Sequence, residues 1–290
     1  MKQIPDSELI INADGSIFHL HLMPEQIADN VILVGDPGRV TTISAHFEKV
    51  EHKVQNREFI THTGLYKGKR ISVIATGIGT DNIDIVVNEL DALVNIDLKT
   101  RTIKSDKKRL NLIRIGTCGG LQEDLAIGSF LMSEMSIGFD GLLNFYEGRD
   151  KVSDLGIEKE FIKYMDWNPK IATPYFVNSS GELLERLGKD MKKGLTISAP
   201  GFYGPQGREL RLNIQDRNIN EKIRSFRYGE KRITNYEMES SALAGLSALL
   251  GHNAVTVCVI IANRYAKEFD TDYKFAMEKL VKIILDRLAV

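Results

Sequence analysis

The sequence predicts an α/β sandwich, and three observations carry that expectation. Short apolar runs of strand length alternate with longer stretches of helical period. Three of the apolar runs stop at glycine-rich clusters: Gly35-Asp36-Pro37-Gly38, Gly77-Ile78-Gly79 and Gly116-Thr117-Cys118-Gly119-Gly120. No Pro/Gly/Ser-rich linker, internal repeat or low-complexity segment divides the 290 residues, so 1–290 is expected to be one domain.

In chain order, Val31-Ile32-Leu33-Val34 reads as a short buried strand. The turn after it leads into a helix from about Pro37 to His46, with proline in the first turn. Phe59–Tyr66 and Ile71–Ala75 read as strands joined by a hairpin turn at Lys67-Gly68-Lys69. Beyond Thr76–Thr80 a helix presents Ile83, Val86, Val87, Leu90, Leu93 and Val94 on one face. Leu112–Ile115 is a strand ending at the third glycine cluster, and Ile127–Met132 continues the sheet. Leu195–Ile197 and Val255–Ile261 are two more strands. The last helix carries Met277, Leu280, Val281, Ile284, Leu285 and Leu288 on one face. The segment from Tyr146 to Ser180, with the only tryptophan (Trp167), has no legible period.

Composition narrows the class of function. The chain is 43% hydrophobic and 27% charged, as ordinary soluble proteins are. A net charge of −1 gives no global reason to expect nucleic acid or membrane binding. The basic run Lys99 to Arg109 reads as a solvated loop. Cys118 and Cys258, widely spaced in apolar contexts, make neither a metal motif nor a disulfide framework and are expected as buried thiols. The start of the chain has no apolar signal core and no run reaches membrane-span length, so a reducing cytoplasmic location is expected.

Four groups of residues carry chemistry. In Asn235-Tyr236-Glu237-Met238-Glu239-Ser240-Ser241 two carboxylates flank a methionine just before an apolar helical run. Two residues apart, they are expected to point in different directions, one to a ligand and one to structure. A carboxylate beside an apolar side chain suits a sugar; acidic residues are also favoured in any first helical turn. Glycines at strand ends let backbone N–H groups approach an anion, although glycine also simply ends strands. Neither the full dinucleotide fingerprint nor the P-loop pattern is present, which argues against NAD and ATP chemistry. Arg39, Arg57 and Arg114 accompany these segments, and Arg114 within an apolar strand needs an anion partner. With Thr117 they would make a phosphate cradle, guanidinium binding phosphate bidentately; for Arg57 a salt bridge is an equal reading. The loop Phe202-Tyr203-Gly204-Pro205-Gln206-Gly207-Arg208 offers a ring, an amide and a guanidinium to a flat base, or is a plain surface loop. His19, alone, reads as a surface or capping residue.

Taken in order, Gly35–Val40, Arg57-Glu58-Phe59, Thr76–Gly79, Arg114–Thr117, Gln206 with Arg208, and Asn235–Ser240 resemble the nucleoside phosphorylases of the hexameric type, and among them the uridine phosphorylases. The resemblance runs from about Phe18 to Val290. It implies a three-layer α/β sandwich with a central mixed, partly barrel-like sheet. It implies phosphate binding by Gly35, Arg39, Arg114 and Thr117, with Arg57 reaching a neighbouring subunit's phosphate. Met238 and Glu239 would hold the ribose, Glu237 supporting them, and His19 would cap the sugar's 5′ end across the interface. Phe202 would flank the base, Gln206 and Arg208 would read its edge, Cys118 and Gly119 would lie beside it, and Arg264 would order the pocket. Arg39, Arg114, Gln206, Arg208 and Glu239 would carry catalysis.

The implied reaction is reversible phosphorolysis of uridine, or of deoxyuridine or thymidine, with phosphate as co-substrate and no cofactor required. Purine-specific relatives carry a Ser-Asp pair after the last core strand, where this chain reads Ala262-Asn263-Arg264. The resemblance also implies a homo-oligomer, either a dimer or a hexamer built as a trimer of dimers. Some relatives bind potassium between subunits, near the positions of Glu58, Ile78 and Asn82. Thr80-Asp81-Asn82, Cys118, the rewritten loop Ala199–Pro205 and an insertion at about Asp97–Lys108 depart from the family pattern. The alternatives are a purine nucleoside phosphorylase, a hydrolytic nucleosidase on the same fold, or a nucleoside-binding sensor without turnover.

Overall fold

A computed structural model describes residues 3–290. The first part holds β1 (Asn30–Val34), α1 (Pro37–Ser44), β2 (Lys49–Asn56), β3 (Phe59–Tyr66), β4 (Lys69–Ala75) and α2 (Thr80–Asn95). Then come β5 (Ile96–Asp97), β6 (Thr102–Ile103), β7 (Asn111–Gly120), β8 (Phe130–Gly138), α3 (Arg149–Val152), α4 (Leu155–Met165) and β9 (Tyr175–Asn178). The chain continues with α5 (Gly181–Leu187), β10 (Lys192–Ser198), α6 (Ile219–Ser225), β11 (Arg227–Tyr228) and β12 (Lys231–Glu237). It ends with α7 (Ser240–Leu250), β13 (Asn253–Asn263), β14 (Glu268–Phe269) and α8 (Lys274–Leu288).

The main sheet runs β11-β12-β10-β8-β13-β7-β1-β4-β3-β2, with β14 on β13 and β9 on β8. β12 also pairs with β7, Tyr236 opposite Gly119 and Asn235 opposite Gly120. That pairing closes β7, β13, β8, β10 and β12 into a barrel-like ring and leaves β1, β4, β3 and β2 as an open wing. Alternate residues of a strand face opposite sides, so a sheet covered on both faces needs apolar residues at every position. In β1, Val31 and Leu33 pack with α2 and α7, whereas Ile32 and Val34 pack with α1, α5 and α8. The result is the expected three-layer α/β sandwich.

Several boundaries differ from the sequence reading. Gly116–Gly120 is strand, not turn, because β13 pairs along it on one side and β12 on the other. The expected strand at Ile127–Met132 begins instead at Phe130 and runs to Gly138. Gly128 stands at φ +81°, a turn conformation that keeps 127–129 out of the sheet. The helix expected to reach His46 stops at Ser44. The basic run is less a free loop than a hairpin, β5–β6, from which Lys104 donates to the Val94 carbonyl at the end of α2 (3.0 Å). The illegible stretch 146–180 holds α3, α4 and β9.

Candidate active site

A cavity of about 460 Å³ opens where β1, β7, β12 and β13 end, the place where ligands collect in α/β sheets. Gly35, Arg39, Arg114, Thr117, Cys118, Gly119, Phe202, Gln206, Arg208, Glu237, Met238 and Glu239 all line it. Residues scattered over two hundred positions thus meet in one place. A larger, mostly apolar cavity of about 950 Å³ lies behind the 202–208 loop. The convergent charged groups belong to the smaller one.

At one end, α1 begins at Asp36, whose carboxylate accepts from the Gly38 amide (2.9 Å). This sets Arg39 so that Nη1 donates to the Ile115 carbonyl (3.2 Å). Burial lowers the pKa of Arg39, and Asp36 opposes the shift. Gly35 and Gly77 approach closely: a Cβ on Gly35 would lie 3.3 Å from the Gly77 carbonyl. Two of the three glycine clusters therefore back onto each other.

Arg114 is buried, and its anion partners are the two motif carboxylates. Nη1 lies 3.2 Å from Glu237 and Nη2 pairs with Glu239. Burial alone would depress its pKa, but Glu239 and then Glu237 more than offset that and raise it. The two carboxylates do not point apart as expected. They straddle the junction between β12 and α7, where helical spacing does not apply, and reach the same guanidinium. Their other bonds divide the roles. Glu237 accepts from the amides of Glu239 (2.9 Å) and Ser240 (3.0 Å) and the hydroxyls of Ser198 (2.6 Å) and Ser240 (2.8 Å), satisfying the start of α7. Glu239 accepts from the Gly79 amide (2.8 Å), and burial raises its pKa against the opposing pull of Arg114. Gly79, at φ +105°, is the N-cap of α2, so the middle glycine cluster holds Glu239 directly.

At the other end, Gln206 is buried, and Arg208 donates to its side-chain oxygen (2.6 Å). The Gln206 amide NH₂ is the part left for a ligand. Arg208 lies over the Phe202 ring at 3.7 Å, and burial with Arg264 nearby lowers its pKa to about 10. Arg264 donates to the Gln206 carbonyl (3.0 Å), fixing the loop from behind. Burial, with Cys258 beside it, pushes the Cys118 thiol well up, away from the thiolate form. Both cysteines are buried and free, as expected. Asn263 is fully committed: its NH₂ donates to the carbonyls of Gln122 (3.1 Å) and Leu125 (3.0 Å), and its oxygen accepts from the amides of Tyr265 and Ala266.

Five expected residues do not line this cavity within one chain: Arg264, His19, Arg57, Glu58 and Asn82. His19 pairs with Glu89 (2.7 Å), and Arg57, exposed at φ +52°, sits over the Phe18 ring at 5.4 Å. Glu58 and Asn82 instead flank Gly77, where a Cβ would meet Asn82 Nδ2 at 2.6 Å and Glu58 Cγ at 3.8 Å. Ile78, the third potassium position, is exposed and lines the cavity. The structure adds Asp36, Tyr236, Ile261, Ala262, Phe269 and Tyr273 to the lining. Tyr236 was within the motif and could have been found; Phe269 and Tyr273 arrive only through the β13–β14 turn-back, which has no local signature. Among the described residues, Arg114 Nε, Tyr236 Oη and Arg264 Nη1 are buried without a hydrogen-bond partner. Each such group costs about 1–3 kcal/mol unless something fills it.

Comparison with known proteins agrees with this geometry. The profile described as "Phosphorylase superfamily" matches residues 29–288. The chain is 31% identical over 260 residues to a uridine phosphorylase of Thermococcus kodakarensis, covering 88% of this chain and 80% of that one. It is 28% identical over 274 residues to a DeoD-type purine nucleoside phosphorylase of Clostridium perfringens, covering 92% and 97%. The solved nucleoside phosphorylase of Trypanosoma brucei, described as showing uridine phosphorylase activity, superimposes with a TM-score of 0.86 at 29% identity, covering 97% and 99%. With a family match across most of its length and the cavity at its strand ends, the chain belongs to the phosphorylase superfamily.

Proposed function

We propose that the protein catalyses the reversible phosphorolysis of uridine to uracil and ribose 1-phosphate. The observation that carries this reading is the pair of buried, unpartnered donors on Arg114 and Tyr236, both lining a cavity with cationic groups at both ends. Cleaving the glycosidic bond builds positive charge on the sugar and negative charge on the base. Phosphate held by Gly35, Arg39, Arg114 and Thr117 would stabilise and then capture the sugar cation. Met238 and Glu239 would hold the ribose, with Glu237 fixing the helix start behind them. Phe202 would cover the base, and Gln206 and Arg208 would stabilise its anion, with Cys118 and Gly119 alongside and Arg264 bracing the loop. This is preorganised electrostatics and positioning, with no enzyme nucleophile.

The purine reading has relatives behind it. The segment Ala262-Asn263-Arg264 weighs against it: no aspartate follows Asn263 to protonate a purine, and the residue there, Arg264, donates to the Gln206 carbonyl (3.0 Å). His19 and Arg57, outside their own chain's cavity, are read as contributions to a neighbour's site in a homo-oligomer. A potassium ion between subunits, near Glu58, Ile78 and Asn82, belongs to the same reading. Among the described residues no helix is long and apolar enough to cross a membrane, and we place the enzyme in the cytoplasm.

One assay tests the proposal: base release from a nucleoside panel, with and without phosphate. Uridine is expected to be cleaved only with phosphate, and far faster than cytidine, inosine or adenosine. Sites that read hydrogen bonds reject mismatched edges by roughly 10⁴ or more in the best cases. Equal rates without phosphate would overturn phosphorolysis, and a higher kcat/KM for inosine would overturn the uracil assignment.

A further inference from the structure

Between β13 and α8 the chain turns back on itself. β14 pairs with the end of β13, Phe269 opposite Ala262, and α8 starts at Lys274. The residue at the head of α8 is Tyr273. Its ring packs against the core cluster that holds Val40 of α1, Ile113 of β7 and Met277 of α8. Its side chain makes no capping bond to its own helix. It lines the same cavity as Gly35, Asp36, Arg39 and Arg114. Tyr273 and Arg39 therefore stand on the same wall of the cavity, and Tyr273 slightly opposes the lowering of the Arg39 pKa by burial. A half-buried tyrosine packed against the core and lining a cationic cradle has one chemical use there. It is a neutral O–H donor for an anion that already meets guanidinium groups.

We propose that Tyr273 is a phosphate-binding residue, its hydroxyl donating a hydrogen bond to the phosphate held between Arg39 and Arg114. This rests on the phosphorolysis reading above and extends it to a residue outside every motif of the resemblance. A phenol adds a directed donor without adding charge. It tightens phosphate more than a nucleoside, whose base and sugar sit against Gln206, Arg208 and Glu239.

The test is Tyr273→Phe, which keeps the packed ring and removes only the hydroxyl. KM is measured separately for phosphate and for uridine, alongside the thermal shift that inorganic phosphate gives the protein without nucleoside. The expected result is a rise of about tenfold in KM for phosphate, in the range for a hydrogen bond to a charged group. KM for uridine should move less than twofold, and the phosphate-induced thermal shift should shrink in step. A phosphate KM and thermal shift both within twofold of the parent protein, while uridine cleavage still requires phosphate, would overturn the role of Tyr273 and leave phosphorolysis standing. Parent protein that releases uracil equally well without phosphate would overturn both. If KM for both substrates rose together, the hydroxyl would be supporting the cavity as a whole, and the assignment to phosphate would fall.

Discussion

At the scale of single residues, the site depends on Arg114 staying where two carboxylates hold it, and a glycine keeps it there. A Cβ on Gly116 would collide with Nη1 of Arg114, the atom 3.2 Å from Glu237 and 3.8 Å from the Cys258 sulfur. Elsewhere a long side chain could swing away, but this guanidinium is buried and ion-paired. Gly116→Ala is therefore expected to fold and to lose about 10–100-fold in kcat/KM, the scale of an ångström's misplacement. Steady-state kinetics beside a thermal melt would check it; unchanged kcat/KM would show that Arg114 tolerates the shift. Most of the residues around it were legible because their types were: arginine in an apolar strand, Gln206 with Arg208, the paired glutamates. Their directions were not legible. Glu237 and Glu239 were read on a helical wheel, but Glu237 ends a strand and Glu239 stands at φ −139°, before the helix begins.

At the scale of elements, α8 is tied to the β3–β4 hairpin by one carboxylate. Asp286 accepts from Tyr66 Oη (2.6 Å), Lys67 Nζ (2.7 Å) and Lys282 Nζ (3.0 Å). Lys67, then Tyr66 and Lys282, hold its pKa far below the usual range. A carboxyl depressed in the folded state adds stability above its unfolded pKa of about 3.9 and loses it as pH falls through the folded value. Asp286→Asn should thus be less stable than the parent at pH 7, with the difference fading towards pH 2. The side chain is 39% exposed, so solvent screening should keep the effect below about 1 kcal/mol. Denaturant melts across pH would check this, and a difference that grew in acid would contradict it. The face of α8 itself was readable from its period, and so were the apolar strands. β2 was not, because Lys49–Asn56 is an edge strand whose charges face solvent. β12 was missed for another reason. Thr234 and Asn235 are polar yet fully buried, and their bonds run to Leu195 and Thr196 of the neighbouring strand (3.0 and 2.9 Å). A polar stretch bonded to a distant strand gives no local strand signal.

At the scale of the whole molecule, strand order is what sequence cannot supply. The ring closes because β12 reaches β7, whose glycines meet Asn235 and Tyr236 without side chains in the way. That closure brings Glu237 and Glu239 to Arg114 and leaves His19 and Arg57 on another part of the surface. Arg57 holds a left-handed φ of +52°, costly for a non-glycine residue. Its guanidinium sits over the Phe18 ring, and it does not line its own chain's cavity. If it completes the phosphate site of a second copy, the defect of one subunit is repairable by another. Arg57→Ala and Glu239→Ala proteins should each be nearly inactive alone. In a mixed dimer, the Arg57→Ala subunit keeps its own Glu239 and receives an intact Arg57 from its partner. One of the two sites is then whole and the other carries both defects. Equal, random mixing makes half the dimers mixed, so activity should recover to about a quarter of the parent level under two-fold symmetry. Sedimentation or native mass measurement would first establish that mixed oligomers form. Mixed oligomers without recovered activity would mean that each chain builds its site alone, and that Arg57 and His19 serve only the surface on which they stand.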